Sequence, residues 1–106
     1  MVTDKEAEEA LHYLNDSAES TANSRATRIY MEEYRKSLKA LLMRNFLHLP
    51  VSAQEREAYA SEEYINHLKA LRIAIQNDEK ARFLRASNEA KIEAWRTFQA
   101  NNRVKI

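Results

Sequence analysis

The residues with which this chain could do chemistry are His12, His48 and His67, together with the adjacent carboxylates Glu8/Glu9, Glu32/Glu33 and Glu62/Glu63. His67 follows Glu63 by one helical turn, a spacing at which imidazole and carboxylate can share a divalent metal. That pair completes no recognised ligand set, and His12 has no evident partner. Adjacent carboxylates on a helix project about 100° apart, so none of the three pairs converges on one substrate atom as general acid–base work requires. They read as solvated helix-start and surface charges. A nucleophile–histidine–acid pattern, a Gly-rich phosphate loop and a two-histidine helix motif are all missing. The expectation is a non-enzymatic chain with no catalytic residue, metal site or cofactor, and no small-molecule substrate.

The cations offer more. Arg25, Arg28, Arg35, Lys36 and Lys39 form one cluster, and Lys80, Arg82, Arg85 and Lys91 a second, which Arg96, Arg103 and Lys105 extend beside Trp95 and Phe98. Exposed Lys and Arg can neutralise phosphates, and aromatic rings can stack bases. Acids interleave throughout, however, and the formal net charge is only +1. That balance hides a segregation: residues 1–24 carry six acids against one base, residues 25–50 six bases against two acids, residues 51–63 four acids against one base, and residues 64–106 nine bases against four acids. A chain folded back on itself would set acidic beside basic segments. The competing reading is a basic surface for an acidic partner.

The elements that must position these groups are helices. The chain has no Gly, one Pro and no Cys, which leaves hairpin turns, Gly-rich nucleotide sites, disulfides and thiolate metal sites without their residues. No apolar run approaches the ~18 residues of a membrane span, and the start of the chain is acidic, unlike a signal peptide. The expected setting is the cytoplasm, with no membrane partner.

One helical domain spans 1–106. Thr3 and Glu6 form a capping box that opens a short helix over about 4–14, and a long helix follows over about 17–48, ended by His48-Leu49-Pro50. Ser52 and Glu55 make a second box for a short helix over 53–59. Ser61 then caps a final helix over 62–101, about 60 Å long at ~1.5 Å per residue, and 102–106 is a frayed tail. Such a helix exceeds the width of a compact globule and implies an elongated molecule.

The second helix bears a ridge in steps of four, namely Leu14, Ala18, Ala22, Ala26, Tyr30, Tyr34, Leu38, Leu42 and Phe46, thickened by Ile29 and Leu41. Setting the long helices antiparallel places Leu42 opposite Leu68, Leu38 opposite Leu71, Tyr34 opposite Ile75, Ala26 opposite Leu84, Ala18 opposite Ile92, Leu14 opposite Trp95 and Leu11 opposite Phe98. His48 then lies near the same end as His67. Gln76–Lys80 is wholly polar. The early stripe of the last helix (Tyr64, Leu68, Leu71, Ile75) and its late stripe (Leu84, Asn88, Ile92, Trp95) point roughly 150° apart. Either the helix kinks near Asn77-Asp78, or its halves bury different faces.

Two stretches, residues 55–64 (EREAYASEEY) and residues 91–96 (KIEAWR) followed by 100–103 (ANNR), resemble small all-α proteins of tailed bacteriophages. Such proteins are often encoded near recombination and single-strand-binding genes. The resemblance covers the C-terminal half best, carries over no catalytic residue, and implies an accessory role in phage DNA replication or recombination.

The fold class is therefore all-α: an antiparallel, coiled-coil-like helical hairpin with a short N-terminal helix and a short helix in the turn. Ile65, Ile73 and Phe83 fall off its main seam and are the candidate oligomer interface of a homodimeric helical bundle. The expected function is an interaction or assembly protein with a protein partner in DNA metabolism. The alternative is direct nucleic-acid binding through Arg25, Arg28, Arg35, Lys36, Lys39, Lys80, Arg82, Arg85, Arg96 and Arg103.

Overall fold

In the computed structural model, which describes residues 1–104, helix α1 begins where the Thr3 side chain accepts the Glu6 amide at 3.1 Å. The Thr3 hydroxyl in turn donates to the Glu6 carboxylate at 3.3 Å, so the box closes side chain to side chain. α1 runs Asp4–Asp16 and α2 runs Ala18–Met43, and the two meet at Ser17. Ser17 keeps a right-handed helical backbone, donates to the Tyr13 carbonyl and accepts from the Thr21 amide, both at 2.9 Å. The helices are thus joined through one irregular residue, neither separated nor fully fused. A single 3₁₀ turn over Arg44–Phe46 tightens the end of α2, earlier than the stop at 48 read from the sequence.

Pro50, with φ −58° and no amide hydrogen to lose, precedes α3, Val51–Ala60. Ser52 therefore lies inside this helix, and the Ser52–Glu55 box does not form. The Gln54 side chain instead donates through Nε2 to the Leu49 carbonyl at 2.8 Å. Ser61 is extended (φ −68°, ψ 150°); its hydroxyl donates to the Ala58 carbonyl and accepts the Tyr64 amide, closing α3 and opening α4. α4, Glu62–Val104, is unbroken across Gln76–Lys80 and includes Asn102 and Arg103 of the expected tail. Lys105 and Ile106 lie outside the described residues. The architecture is all-α, a helical hairpin with a short N-terminal helix and a short helix in its turn, and no strand occurs among the described residues.

The chain divides into two compact units, one of residues 1–23 and 79–106, the other of residues 24–78. In the first, Trp95 Nε1 donates to Asp4 Oδ1 at 2.7 Å and Arg85 reaches the Leu14 carbonyl at 3.1 Å, so the segments run antiparallel. Ala7 and Ala10 are its buried residues. In the second unit, Tyr34 meets His67 and Arg28 meets Asp78, again antiparallel. Its core joins Leu42, Ala58 and Tyr64, with Leu38 and Met43 packed against them.

The facing pairs differ from those expected. Tyr34, expected opposite Ile75, meets His67; Leu14, expected opposite Trp95, meets Arg85. Both are displaced by more than two helical turns. The cause is α3, which folds back along α2 so that Ala58, 0% exposed, lies against Leu42 and Glu55 reaches Lys39. α4 therefore starts partway down the hairpin.

The inward positions also differ. On α2 a half-buried row runs through Ser24, Arg28, Met31, Tyr34 and Leu38 to the buried Leu42, flanked by the half-buried Glu32, Lys39 and Met43, while Ala18, Ala22, Ala26 and Tyr30 are exposed. A row in steps of four advances about 40° per step and winds off the seam. On α4 the inward positions are Tyr64, His67, Leu71, Ala74 and Asp78, then Ala81, Arg85, Asn88, Ile92 and Trp95, while Leu68, Ile75 and Leu84 are exposed. Steps of three and four alternate throughout. The early and late stripes then differ by about 60° rather than 150°, which is the ~20° drift per heptad of a straight helix.

Ala58→Leu is expected to overpack this core and destabilise the protein by about 1–3 kcal/mol, read from chemical denaturation followed by circular dichroism at fixed protein concentration. A midpoint equal to wild type would mean the α2–α3 contact is looser than its complete burial implies.

Candidate partner-binding groove

Two of the ten basic residues proposed as contacts are turned inward by the helices that carry them. Arg28 sits on the inward face of α2, its Nε 2.8 Å from Asp78 Oδ2 and its Nη1 4.0 Å from Glu32. Asp78, at 7% exposure, is the buried charge among the described residues. The Arg28 Nε–H is not aligned on any acceptor, so the contact is an ion pair without a directed hydrogen bond at that nitrogen. Arg85 donates to the Leu14 carbonyl and, at 3.4 Å, to the Ser17 hydroxyl. Both side chains fix the helix seam.

Four others pair with acids nearby: Lys36 with Glu33, Lys39 with Glu55, Arg82 with Glu79 and Arg96 with Glu93. The Arg82 guanidinium also lies 5.9 Å from the Phe83 ring centre. Arg25, Arg35, Lys80 and Arg103 are exposed. Ile65, Ile73 and Phe83 are 42%, 60% and 65% exposed, and the exposed Leu68 and Ile75 lie within about 80° of Ile65 around α4.

The histidines stay apart. His67 Nε2 bonds the Met31 carbonyl at 2.8 Å and its ring tilts against Tyr34, which directs it to α2 rather than to Glu63 or His48. His12 lies 3.8 Å from Glu8. No group of three or more His, Asp or Glu side chains is gathered as a metal site among the described residues. Trp95, expected to face Leu14, instead ties α4 to Asp4 at the start of α1, and Gln99 reaches the same carboxylate at 3.3 Å. Ala7, Leu11, Ile92 and Trp95 line a small apolar dimple of about 190 Å³.

The concave feature with the most chemistry lies in the second unit, where α3 folds onto α2. It is an open groove of about 510 Å³, lined by Arg35, Lys36, Lys39 and Met43 of α2 and by Glu55 and Tyr59 of α3. Lys39 Nζ is 3.5 Å from Glu55 and 5.0 Å from the Tyr59 ring centre. The Tyr59 side chain, then the Glu55 carboxylate, hold this ammonium above its ordinary value against a partial loss of solvent. A raised cation favours the folded arrangement below the ordinary lysine range, and that contribution is lost only as pH rises through the raised value. At neutral pH Lys39 is fully charged.

Tyr59 stands edge-on to the buried Tyr64, with ring centres 5.1 Å apart. The sequence marks Glu55 as a cap residue and Tyr64 as part of the early stripe, but none of Glu55, Tyr59 and Tyr64 as a binding residue. The available signal was local: Arg35, Lys39 and Met43 lie in steps of four on α2, as do Glu55 and Tyr59 on α3. Their meeting depends on the fold-back of α3, which no local pattern encodes.

No protein-family model, curated protein or solved structure matches this chain. Among the described residues, no helix is long and apolar enough to cross a membrane.

Asp78→Ala leaves the partly buried Arg28 guanidinium with only the more distant Glu32 as counter-charge and is expected to cost about 2–3 kcal/mol. Replacing both partners with apolar residues, Arg28→Met with Asp78→Leu, is expected to recover most of that loss. Urea denaturation of the wild type and these two variants measures the recovery; a double variant as unstable as Asp78→Ala would assign the cost to packing instead.

Proposed function

We propose that this protein is a non-enzymatic helical interaction module that assembles with a second copy of itself through the outer side of α4. The observation that carries the reading is the apolar flank Ile65, Leu68 and Ile75, continued round the helix by Ile73, left exposed beside a seam that holds small and polar residues. Four of the eight buried residues are alanines, and no large side chain is completely buried among the described residues. Chains with so little internal core commonly gain stability by association. A two-fold packing of two hairpins would bury the flank in a helical bundle. The phage-like segments at residues 55–64, 91–96 and 100–103 favour a setting as an accessory factor in phage DNA replication or recombination, inside the host cell.

A second reading, direct nucleic-acid binding, draws on Arg25, Arg35 and Lys80, which make no ion pair among the described residues. Binding of that kind weakens linearly in log–log with salt. Fluorescence anisotropy with single- and double-stranded DNA across a salt series tests it.

Multi-angle light scattering is expected to give a dimer at tens of micromolar. Ile65→Asp with Ile73→Asp, both at exposed positions, is expected to give a folded monomer. A wild-type chain that stays strictly monomeric, or a double variant that stays dimeric, removes the basis of this assembly.

A further inference from the structure

We infer that the groove between α2 and α3 is a binding site for an acidic peptide segment that carries a bulky apolar side chain. Arg35, Lys36 and Lys39 supply three cations, with Lys36 paired to Glu33, Lys39 to Glu55 and Arg35 unpaired among the described residues, and Met43 adds apolar lining. The volume of about 510 Å³ falls in the range of sites that hold a few side chains. Glu55 holds Lys39 at 3.5 Å and competes with an incoming acid for that ammonium. Arg35 makes no ion pair among the described residues, and its planar fork suits a second carboxylate in bidentate geometry.

The same observations disfavour a nucleic acid in this groove. Base stacking needs an open aromatic face. Tyr59 is 45% exposed, but the Lys39 ammonium lies over its ring and Tyr64 meets it at a steep angle, while Tyr64 itself is buried. Glu33 beside Lys36 and Glu55 beside Lys39 would also oppose a continuous phosphate chain. Carboxylates spaced along a peptide can alternate with these acids. Closely spaced phosphates cannot.

The site is independent of the proposed self-assembly, which uses the apolar flank of α4. The test is fluorescence anisotropy of the full chain at low salt with a short labelled peptide of Glu and Asp around one Phe. Controls are the same peptide with Gln and Asn in place of the acids, and a labelled oligothymidine. The acidic peptide is expected to bind. Arg35→Ala with Lys36→Ala, at exposed positions that leave the helical spectrum unchanged, is expected to weaken it roughly tenfold. Glu55→Gln, which releases Lys39, is expected to tighten it severalfold. Binding that is absent, equal for the neutral peptide, indifferent to these substitutions, or tighter for oligothymidine overturns the proposal. So does dissociation of a dimer by Arg35→Ala with Lys36→Ala, because a second copy would then occupy the groove.

Discussion

A helix with about 3.6 residues per turn keeps facing a neighbour along its length only if its inward positions average close to 3.5. α4 contains no Gly or Pro at which to bend or restart. Its inward positions therefore alternate by three and four whatever residues stand there, which admits His67, Asp78, Arg85 and Asn88 and excludes Leu68, Ile75 and Leu84. At these positions the period outranks hydrophobicity. Each polar residue admitted is matched locally: His67 by the Met31 carbonyl, Asp78 by Arg28, Arg85 by the Leu14 carbonyl, and Asn88 by the Leu84 carbonyl.

These polar matches say more about specificity than about stability. A partly buried ion pair loses to desolvation much of what attraction returns. An apolar seam of uniform heptads, by contrast, can slide by a heptad at little cost. Arg28 with Asp78, and His67 with the Met31 carbonyl, are satisfied together at one register of the second unit. Within that unit, Leu42, Leu71 and Tyr64 carry most of the apolar burial, each contributing about 1.5–3 kcal/mol at full burial.

The parts legible in the sequence were those whose physics is local. Thr3 and Ser61 were readable as caps because a hydroxyl and an amide three residues on suffice. The all-α class was readable from the absence of Gly and the run of helix formers. The Ser52–Glu55 box has the same local pattern and still fails, because Pro50 starts α3 sooner. The ridge from Ala18 to Tyr30 misled because small residues in steps of four resemble a packing face while winding away from it. The register needed a long-range fact, the burial of Ala58 against Leu42, and so did the groove, since its walls are separated in the chain.

That long-range fact also links the two candidate surfaces of the second unit. Because α3 doubles back, Glu55 and Tyr59 come beside Lys39 and create the cationic groove. Because the return helix then enters at a shifted register, Met31 and Tyr34 receive His67 in place of Leu68 or Ile75, and these two are left on the outer flank. One surface is apolar and nearly indifferent to salt. The other is charged, exposed and screened within about 10 Å at ordinary ionic strength. Ionic strength therefore separates what each surface does, although both arise from the packing of Ala58 onto Leu42.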